Sequence, residues 1–184
     1  MKCLVVAVVL ALGATANKQD FSKDDLREAL KTEEKLWTVM RNFTRGDESG
    51  QVSCIYDKKV SLEHDKYVFA HHFKVAGDWK EVPLYGTLEN EDEGGVLYIA
   101  EEKGGKGNRH VLRSWDEKYK CFILTHKNTT TNMEQCSLHV PDSIVDSELS
   151  AGGLKCKKLY EETCKEGTQY NIYTKECRES PPSA

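Results

Sequence analysis

Between residue 35 and about residue 140, the chain is a succession of short strand-like runs separated by turn signals. Most links are rich in Asp, Gly and Asn and span a few residues, which permits antiparallel hairpins, whereas a parallel crossover needs about a dozen residues or more. Eight such sequential runs predict a mainly β fold, an antiparallel up-and-down barrel wide enough for one small ligand. A two-sheet sandwich is the competing architecture, but it usually contains a long Greek-key crossover, which is not found here. The runs are Leu36–Phe43, Val52–Val60, Lys66–Val75, Val82–Glu89, Val96–Glu101, Arg109–Trp115, Tyr119–Lys127 and Glu134–Val140.

Helical patterns flank this series at both ends. Asp20–Lys31 has the pattern of a short helix, with Ser22 as N-cap and Asp25 at the third helical position. After Gly153, the segment LKCKKLYEETCKEG predicts a second helix that ends with Gly167 at C′. The sequence therefore predicts a barrel with a short N-terminal helix and a C-terminal helix packed on it.

The start of the chain shows the three regions of a secretory signal. Lys2 precedes an apolar run from Cys3 to Leu12, and small residues follow up to Ala16. The apolar run is too short for a membrane span, which needs about 20 residues. We expect residues 1–16 to be removed and residues 17–184 to form one secreted, extracellular domain without a membrane anchor.

Cysteines and glycosylation sequons agree with export. Of seven cysteines, Cys3 lies in the predicted signal, and an even number remains, which predicts three disulfides. No two of the remaining cysteines are closer than eight positions, so the tight pairs of a zinc site are missing. Asn42-Phe43-Thr44 and Asn128-Thr129-Thr130 predict glycans on Asn42 and Asn128. The six remaining cysteines are Cys54, Cys121, Cys136, Cys156, Cys164 and Cys177.

Composition and motifs argue against several function classes. The formal net charge is −4, and the charged residues of both signs are dispersed, so no basic face for nucleic acid is indicated. No G-x-S-x-G, H-E-x-x-H or P-loop motif is present, and we expect neither enzymatic activity nor a cofactor. The histidines lack metal-ligand spacing, and the adjacent His71 and His72 would point to opposite faces of a strand.

The C-terminal third carries a family resemblance. The run CSLHV (Cys136–Val140), the later Cys156 and Cys164, and the segment YNIYTKEC (Tyr170–Cys177) resemble the ending of tick salivary lipocalins, the histamine-binding-protein-like family. The N-terminal helix, the segment KLWTVMRNF and the order of the other cysteines fit the same scheme, so the resemblance spans nearly the whole chain after the signal. One departure is Lys35, which stands two positions before Trp37, where many lipocalins carry glycine. This weakens the general lipocalin pattern more than the tick pattern.

The resemblance also implies a disulfide pattern. Sequence alone permits fifteen pairings of six cysteines. By resemblance, Cys54 pairs with Cys177 and Cys121 with Cys156, which leaves Cys136 and Cys164 for the third bridge.

In this family the ligand cavity lies inside the barrel, and members that bind amines place acids and aromatic rings there. Here Ser137 follows Cys136 where the family has an acid, His139 replaces a tryptophan, and Phe122 follows Cys121. These replacements favour a larger or more apolar ligand than histamine, although the same side chains could simply fill the barrel. Period-two alternation also places Tyr67 and His126 on these faces. The predicted ligand-binding residues are Trp37, Val39, Phe69, His71, Phe73, Tyr98, Phe122, Leu124, Ser137 and His139.

The resemblance implies a monomeric, non-catalytic salivary protein that sequesters a small host mediator and suppresses host inflammation or immunity. The mediator would be a biogenic amine, such as histamine or serotonin, or an apolar lipid, such as an eicosanoid or a sterol. An alternative is a protein-interaction module with a filled barrel, which would bind a host complement, coagulation or cell-surface protein. The sequence leaves both open.

Overall fold

The structure, a computed structural model, describes residues 20–47, 50–149 and 155–178. The predicted signal peptide, residues 1–16, lies outside the described residues. Three α-helices are described, α1 (Lys23–Leu30), α2 (Asp142–Leu149) and α3 (Lys155–Thr163), with a 3-10 helix at Lys175–Arg178. The strands are β1 (Leu36–Arg41), β2 (Gly46–Asp47), β3 (Gly50–Gln51), β4 (Ser53–Glu63), β5 (Lys66–Val75), β6 (Asp78–Glu91), β7 (Gly94–Ala100), β8 (Asn108–Asp116), β9 (Cys121–Lys127), β10 (Glu134–Pro141) and β11 (Tyr170–Asn171).

Eight strands, β1 and β4 to β10, form a closed antiparallel barrel. Each pairs with its neighbour in the chain, and β10 returns to β1, with Leu36 opposite Pro141 and Arg41 opposite Ser137. The predicted up-and-down barrel is therefore confirmed. The short strands β2 and β3 form a separate ribbon between β1 and β4.

The bounds of the strands agree with the sequence pattern within a few residues, with the largest difference at the start of β6. The link after β5 is a tight turn in which Ala76 and Gly77 both have positive φ, 54° and 93°. Val75 therefore pairs directly with Asp78, and β6 begins four residues before the predicted Val82. Three of its first four residues, Asp78, Lys80 and Glu81, are charged and exposed, so no apolar alternation marked them as strand.

The N-terminal helix closes one end of the barrel. Ser22 caps α1 and forms a reciprocal capping box with Asp25, as the sequence predicts. Leu26 and Leu30 are buried in the apolar cluster inside the barrel. Asp65, in the turn between β4 and β5, holds the helix from outside through ion pairs with Lys23 and Arg27.

Two glycines allow this helix to dock. The N–H of Gly95 donates to the carbonyl of Phe21, just before the helix. A β-carbon at Gly94 would collide with the carbonyl oxygen of Phe21, and one at Gly95 with that of Ser22. The hairpin tip between β6 and β7 therefore needs glycine because the N-terminal segment crosses it in direct contact.

The C-terminal helical region differs from the prediction. It contains two helices instead of one, because α2 begins directly after β10 and has no strong apolar stripe in its sequence DSIVDSEL. The predicted second helix corresponds to α3 but is shorter, ending at Thr163, so Gly167 is not its C′ residue. Gly167 does have a positive φ of 85°, in the loop that follows.

The C-terminal segment is part of the barrel wall. β4 pairs with the first half of β1, at Leu36 and Trp37, and β11 pairs with the second half, at Met40 and Arg41. The N–H of Ile172 donates to the carbonyl of Val39 at 2.8 Å, and the carbonyl of Ile172 accepts from the N–H of Cys54 at 2.9 Å. This segment therefore fills the gap where β1 and β4 diverge.

Three disulfides fasten the C-terminal region to the barrel: Cys54–Cys177, Cys121–Cys156 and Cys136–Cys164. These are the pairs that the family resemblance implies. Each joins a barrel strand to α3 or to the segments after it. Within the described ranges, no helix is long and apolar enough to cross a membrane.

Candidate ligand-binding site

The barrel encloses a cavity of about 610 Å³ above the apolar cluster that α1 closes. This volume lies within the range of about 300–1,000 Å³ that is typical of small-molecule sites. Alternate residues of the strands line it, as expected from the period of two. The lining from β5 is Tyr67, Phe69, His71 and Phe73, from β9 Phe122, Leu124 and His126, and from β10 Ser137 and His139.

Seven of the ten predicted ligand-binding residues lie on this cavity wall, and the structure brings them together. They are Phe69, His71, Phe73, Phe122, Leu124, Ser137 and His139. The other three, Trp37, Val39 and Tyr98, do not line the cavity.

Trp37 and Val39 are buried on the outer face of β1, beneath the C-terminal segment. The indole N–H of Trp37 donates to Asp142 Oδ1 at 2.6 Å, and its ring meets that of Tyr173 edge-on at 4.7 Å. The inward residues at the start of β1 are Leu36 and Thr38. The prediction was wrong because every residue of β1 is buried, so its sequence does not distinguish the two faces.

Tyr98 lies on the outer face of β7, where its hydroxyl donates to Glu91. Its neighbours Leu97 and Ile99 line the cavity instead. The apolar run of β7 again gave no alternation from which to choose a face.

A bulge in β1 brings an arginine into the cavity. The pairing register with β10 shifts between Thr38 and Met40, so that Arg41 faces inward in place of Met40. Arg41 is buried, with only 3% of its surface exposed to solvent. Burial, reinforced by the charge of Arg45, lowers the pKa of the guanidinium to about 10. Strict alternation from Leu36 could not have identified this residue.

Arg41 belongs to a basic part of the cavity wall that we call the arginine corner, made of Arg41, Phe43, Arg45, His110 and His126. The Phe43 ring lies 4.8 Å from the guanidinium carbon of Arg41 and 5.5 Å from that of Arg45, within cation–π range. The His126 ring meets Phe43 edge-on at 5.3 Å and lies 4.8 Å from the His110 ring. Burial, with His110 next in effect, lowers the pKa of His126 to about 4, so this imidazole is neutral at neutral pH.

Among the described strand residues that face the cavity, the one acid is Asp57, and it has a partner. Asp57 Oδ1 lies 2.6 Å from Nδ1 of His71, which also lines the cavity. An incoming ammonium group would have to share or displace this contact. Glu101, the other carboxylate in the described lining, is exposed just after β7.

A third polar group occupies the wall formed by β9 and β10. The His139 ring stacks on Phe122 with centroids 4.9 Å apart, and its Nε2 lies 2.9 Å from the hydroxyl of Ser137. Burial lowers the pKa of His139 to about 4. Its Nδ1 makes no hydrogen bond within the described part of the chain. A neutral imidazole with a free nitrogen can donate to, or accept from, a polar group of a ligand.

The family model of the tick histamine-binding proteins matches residues 14–179. The chain belongs to this family. Three solved structures are similar to this lipocalin over nearly their whole length. Japanin from Rhipicephalus appendiculatus, bound to cholesterol, is 14% identical with a TM-score of 0.55, covering 81% of this chain and 98% of its own. AM182 in complex with serotonin is 10% identical with a TM-score of 0.58, covering 85% and 92%.

The third similar structure is the siderocalin Ex-FABP, whose title describes dual ligand specificities. It is 12% identical with a TM-score of 0.52, covering 80% of this chain and 95% of its own. At these identities the structures show a shared fold. No curated protein sequence matches the chain significantly. The protein is a lipocalin that binds a small ligand, and it is not an enzyme.

The two predicted glycosylation sites of this lipocalin differ in their surroundings. Nδ2 of Asn42 donates to the carbonyls of Glu134 and Glu166, and its Oδ1 accepts from the N–H of Cys136 at 2.7 Å. Asn42 therefore ties the end of β1 to β10 and to the loop after α3. Asn128 uses its Oδ1 to cap the turn before β10, and its Nδ2 makes no hydrogen bond to the described residues.

Proposed function

We propose that this lipocalin is secreted and sequesters one small host mediator in its barrel, and so suppresses host inflammation or immunity. The observation that carries the proposal is the cavity of about 610 Å³, which the protein's own side chains leave unfilled. A binder without turnover lowers free ligand by mass action, so the proposed role requires an abundant extracellular protein with high affinity.

The cavity walls favour a ligand with an apolar body. Aromatic and aliphatic side chains form most of the wall, and Phe69 and Phe122 are almost completely buried. Burying a ligand's apolar surface against them gains about 25 cal/mol per Å². A ligand as small and polar as histamine would leave most of this wall uncovered.

The polar groups point in the same direction. The family acid after Cys136 is Ser137 here, and Asp57 already contacts His71. Amine recognition by a buried carboxylate would need an acid free to pair with the ligand. We therefore favour a lipid mediator over histamine or serotonin. The similar structures hold one ligand of each class, cholesterol and serotonin.

Calorimetric titration of delipidated protein with histamine, serotonin, cholesterol and a fatty acid tests the proposal. We expect a lipid to bind at one site per chain with the highest affinity. Ile99→Trp, which adds volume inside the cavity, should weaken this binding at least tenfold by occupying ligand space.

Tyr98→Trp is the matched control, since Tyr98 directly precedes Ile99 in the same strand but lies on its outer face. It should leave lipid affinity unchanged. The proposal fails if the folded protein binds none of the four compounds, or if both variants bind like the parent chain. Capture of a host serum protein by such a preparation would then favour the interaction-module alternative.

A further inference from the structure

We infer that the arginine corner binds an acidic head group, so that the ligand is an amphipathic acid: an apolar chain or ring system that ends in a carboxylate or phosphate. The inference rests on the proposed function and names the ligand class for the same cavity. The central observation is a guanidinium that is buried against the cavity and has no acid of the described residues beside it.

Arg41 shows this most directly. It is more than nine-tenths buried and lines the cavity. Its Nε makes no hydrogen bond, its Nη2 donates to the carbonyl of Val52 at a long 3.4 Å, and the described residues provide no salt bridge to it. A buried charge without a counterion is costly. A ligand anion can therefore pair with Arg41 without displacing an acid from the part of the chain that the structure describes.

The neighbours of Arg41 add to its demand for a negative charge. Arg45 contributes a second guanidinium to the cavity wall, 5.5 Å from the Phe43 ring. The two like charges repel each other, and an anion next to them would reduce that repulsion. His126 adds a neutral imidazole within ring-contact distance of Phe43, which can donate a further hydrogen bond, whereas His110 already donates its Nδ1–H to the carbonyl of Asn108. A guanidinium fork matches the two oxygens of a carboxylate or a phosphate.

The rest of the cavity restricts the chemistry of the ligand body to which this head group is attached. Its wall on β5 and β9 is largely aromatic and aliphatic, and Asp57, the one acid among the described inward strand residues, contacts His71. A small free anion would leave that wall uncovered, and a neutral sterol would leave Arg41 unpaired. Only a molecule with an acid at one end and an apolar body satisfies both parts of the cavity.

The preference for a head group is tested with four compounds that share the same hydrocarbon chain and differ only in the head group: oleate, oleyl phosphate, oleyl alcohol and oleylamine. Each is titrated at neutral pH into delipidated protein that holds a neutral fluorescent dye in the barrel, and displacement is measured. Because charge-assisted hydrogen bonds are stronger than neutral ones, we expect the affinity of the two acids to be at least about tenfold higher than that of the alcohol. The amine should bind most weakly. The tighter of the two acids identifies the preferred head group.

Variants assign the effect to Arg41. Arg41→Gln should reduce the affinity for oleate and oleyl phosphate about tenfold or more and leave that for the alcohol within about twofold. Arg41→Lys, which keeps the charge, should restore part of the preference. Arg109→Gln is the control, because Arg109 pairs with Glu91 and Glu93 on the outer face of the barrel. It should bind all four compounds like the parent chain.

A second measurement covers the case in which Arg41→Gln does not fold. In the unaltered protein, an anion in the arginine corner should raise the pKa of His126 from its lowered value of about 4, whereas oleyl alcohol should not. Proton NMR of the imidazole reports this directly. Equal affinity for all four compounds, or tightest binding of the amine, overturns the inference and leaves the proposed function standing. If none of the four binds and cholesterol, histamine and serotonin also fail, both are overturned.

Discussion

The barrel wall separates two buried regions that differ in how completely they are packed. The outer region, between the wall and the C-terminal segments, contains all three disulfides and the close ring contact of Trp37 with Tyr173. The inner region has an apolar floor beneath α1 and, above it, a cavity of about 610 Å³ that the side chains leave unfilled. Stability is thus concentrated outside the wall, which leaves the inside free for a ligand.

Removal of the Cys54–Cys177 disulfide from the outer region should lower the free energy of unfolding more than any of the other changes proposed below. Cys54–Cys177 closes a loop of 123 residues, and Cys136–Cys164 one of 28. By loop entropy, the pair of alanine substitutions Cys54→Ala and Cys177→Ala should lower the free energy of unfolding by about 5 kcal/mol, and the pair at Cys136 and Cys164 by about 3.5 kcal/mol. Urea denaturation measures both. Neither pair lines the cavity, so a folded variant that loses ligand affinity would contradict the separation of roles.

Two adjacent residues of β9 compare the regions within one strand. Ile123 is fully buried in the outer region, whereas Leu124 borders the cavity. Ile123→Ala should destabilise the protein by about 4 kcal/mol and leave ligand affinity unchanged. Leu124→Ala should cost roughly 2 kcal/mol, because its side chain has fewer packing partners, and should alter ligand affinity. Equal costs in denaturation would mean that the inside is packed as tightly as the outside.

Acid should act through the inner region. The pKa of His139 is lowered by burial from 6.5 to about 4, so the unfolded chain binds a proton first as the pH falls. The stability that neutral His139 contributes is fully present above pH 6.5, the pKa in the unfolded chain. It is lost as the pH falls to about 4, the pKa in the folded protein, and the loss is roughly 3 kcal/mol for this one group. His139→Gln should flatten the stability profile between these two pH values. A profile that is equally steep in the variant would assign the effect to other groups.

The smallest expected effect concerns the surface outside both regions. Asn128 has an available Nδ2, whereas both donors of Asn42 are used by Glu134 and Glu166. Glycopeptide mass spectrometry of protein from a secreting eukaryotic host should find higher occupancy at Asn128. Asn128→Gln also removes the two hydrogen bonds by which Oδ1 caps the turn, so it should lower the free energy of unfolding by about 1 kcal/mol. Full occupancy of Asn42 in folded protein would contradict this reading of its hydrogen bonds.

The sequence predicts one side of this comparison better than the other. β5 alternates along an exposed wall, so the inward residues Tyr67, Phe69, His71 and Phe73 could be identified from their spacing. Turn chemistry predicted the barrel, and the order of the cysteines supported the C-terminal helix packed on it. These signals are local or are repeated along the chain.

What the sequence could not predict depends on packing from both sides. β1 is buried on both faces because the C-terminal segment covers it, so its pattern could not show that Trp37 faces outward. The bulge after Thr38 then turns Arg41 inward, and no residue type marks that bulge. β7 likewise hides the orientation of Tyr98, and α2 lacks the apolar stripe that would have identified it.

Native mass spectrometry, after the delipidated protein has been incubated with a lipid extract of host serum, tests the central claim most directly. The account predicts one added mass per chain, which collisional activation releases as an acidic lipid. It also predicts that Ile99→Trp abolishes this adduct while Tyr98→Trp retains it. A spectrum that shows only the unliganded polypeptide, with the protein folded, would contradict the claim that the inside of the barrel is kept free for a ligand.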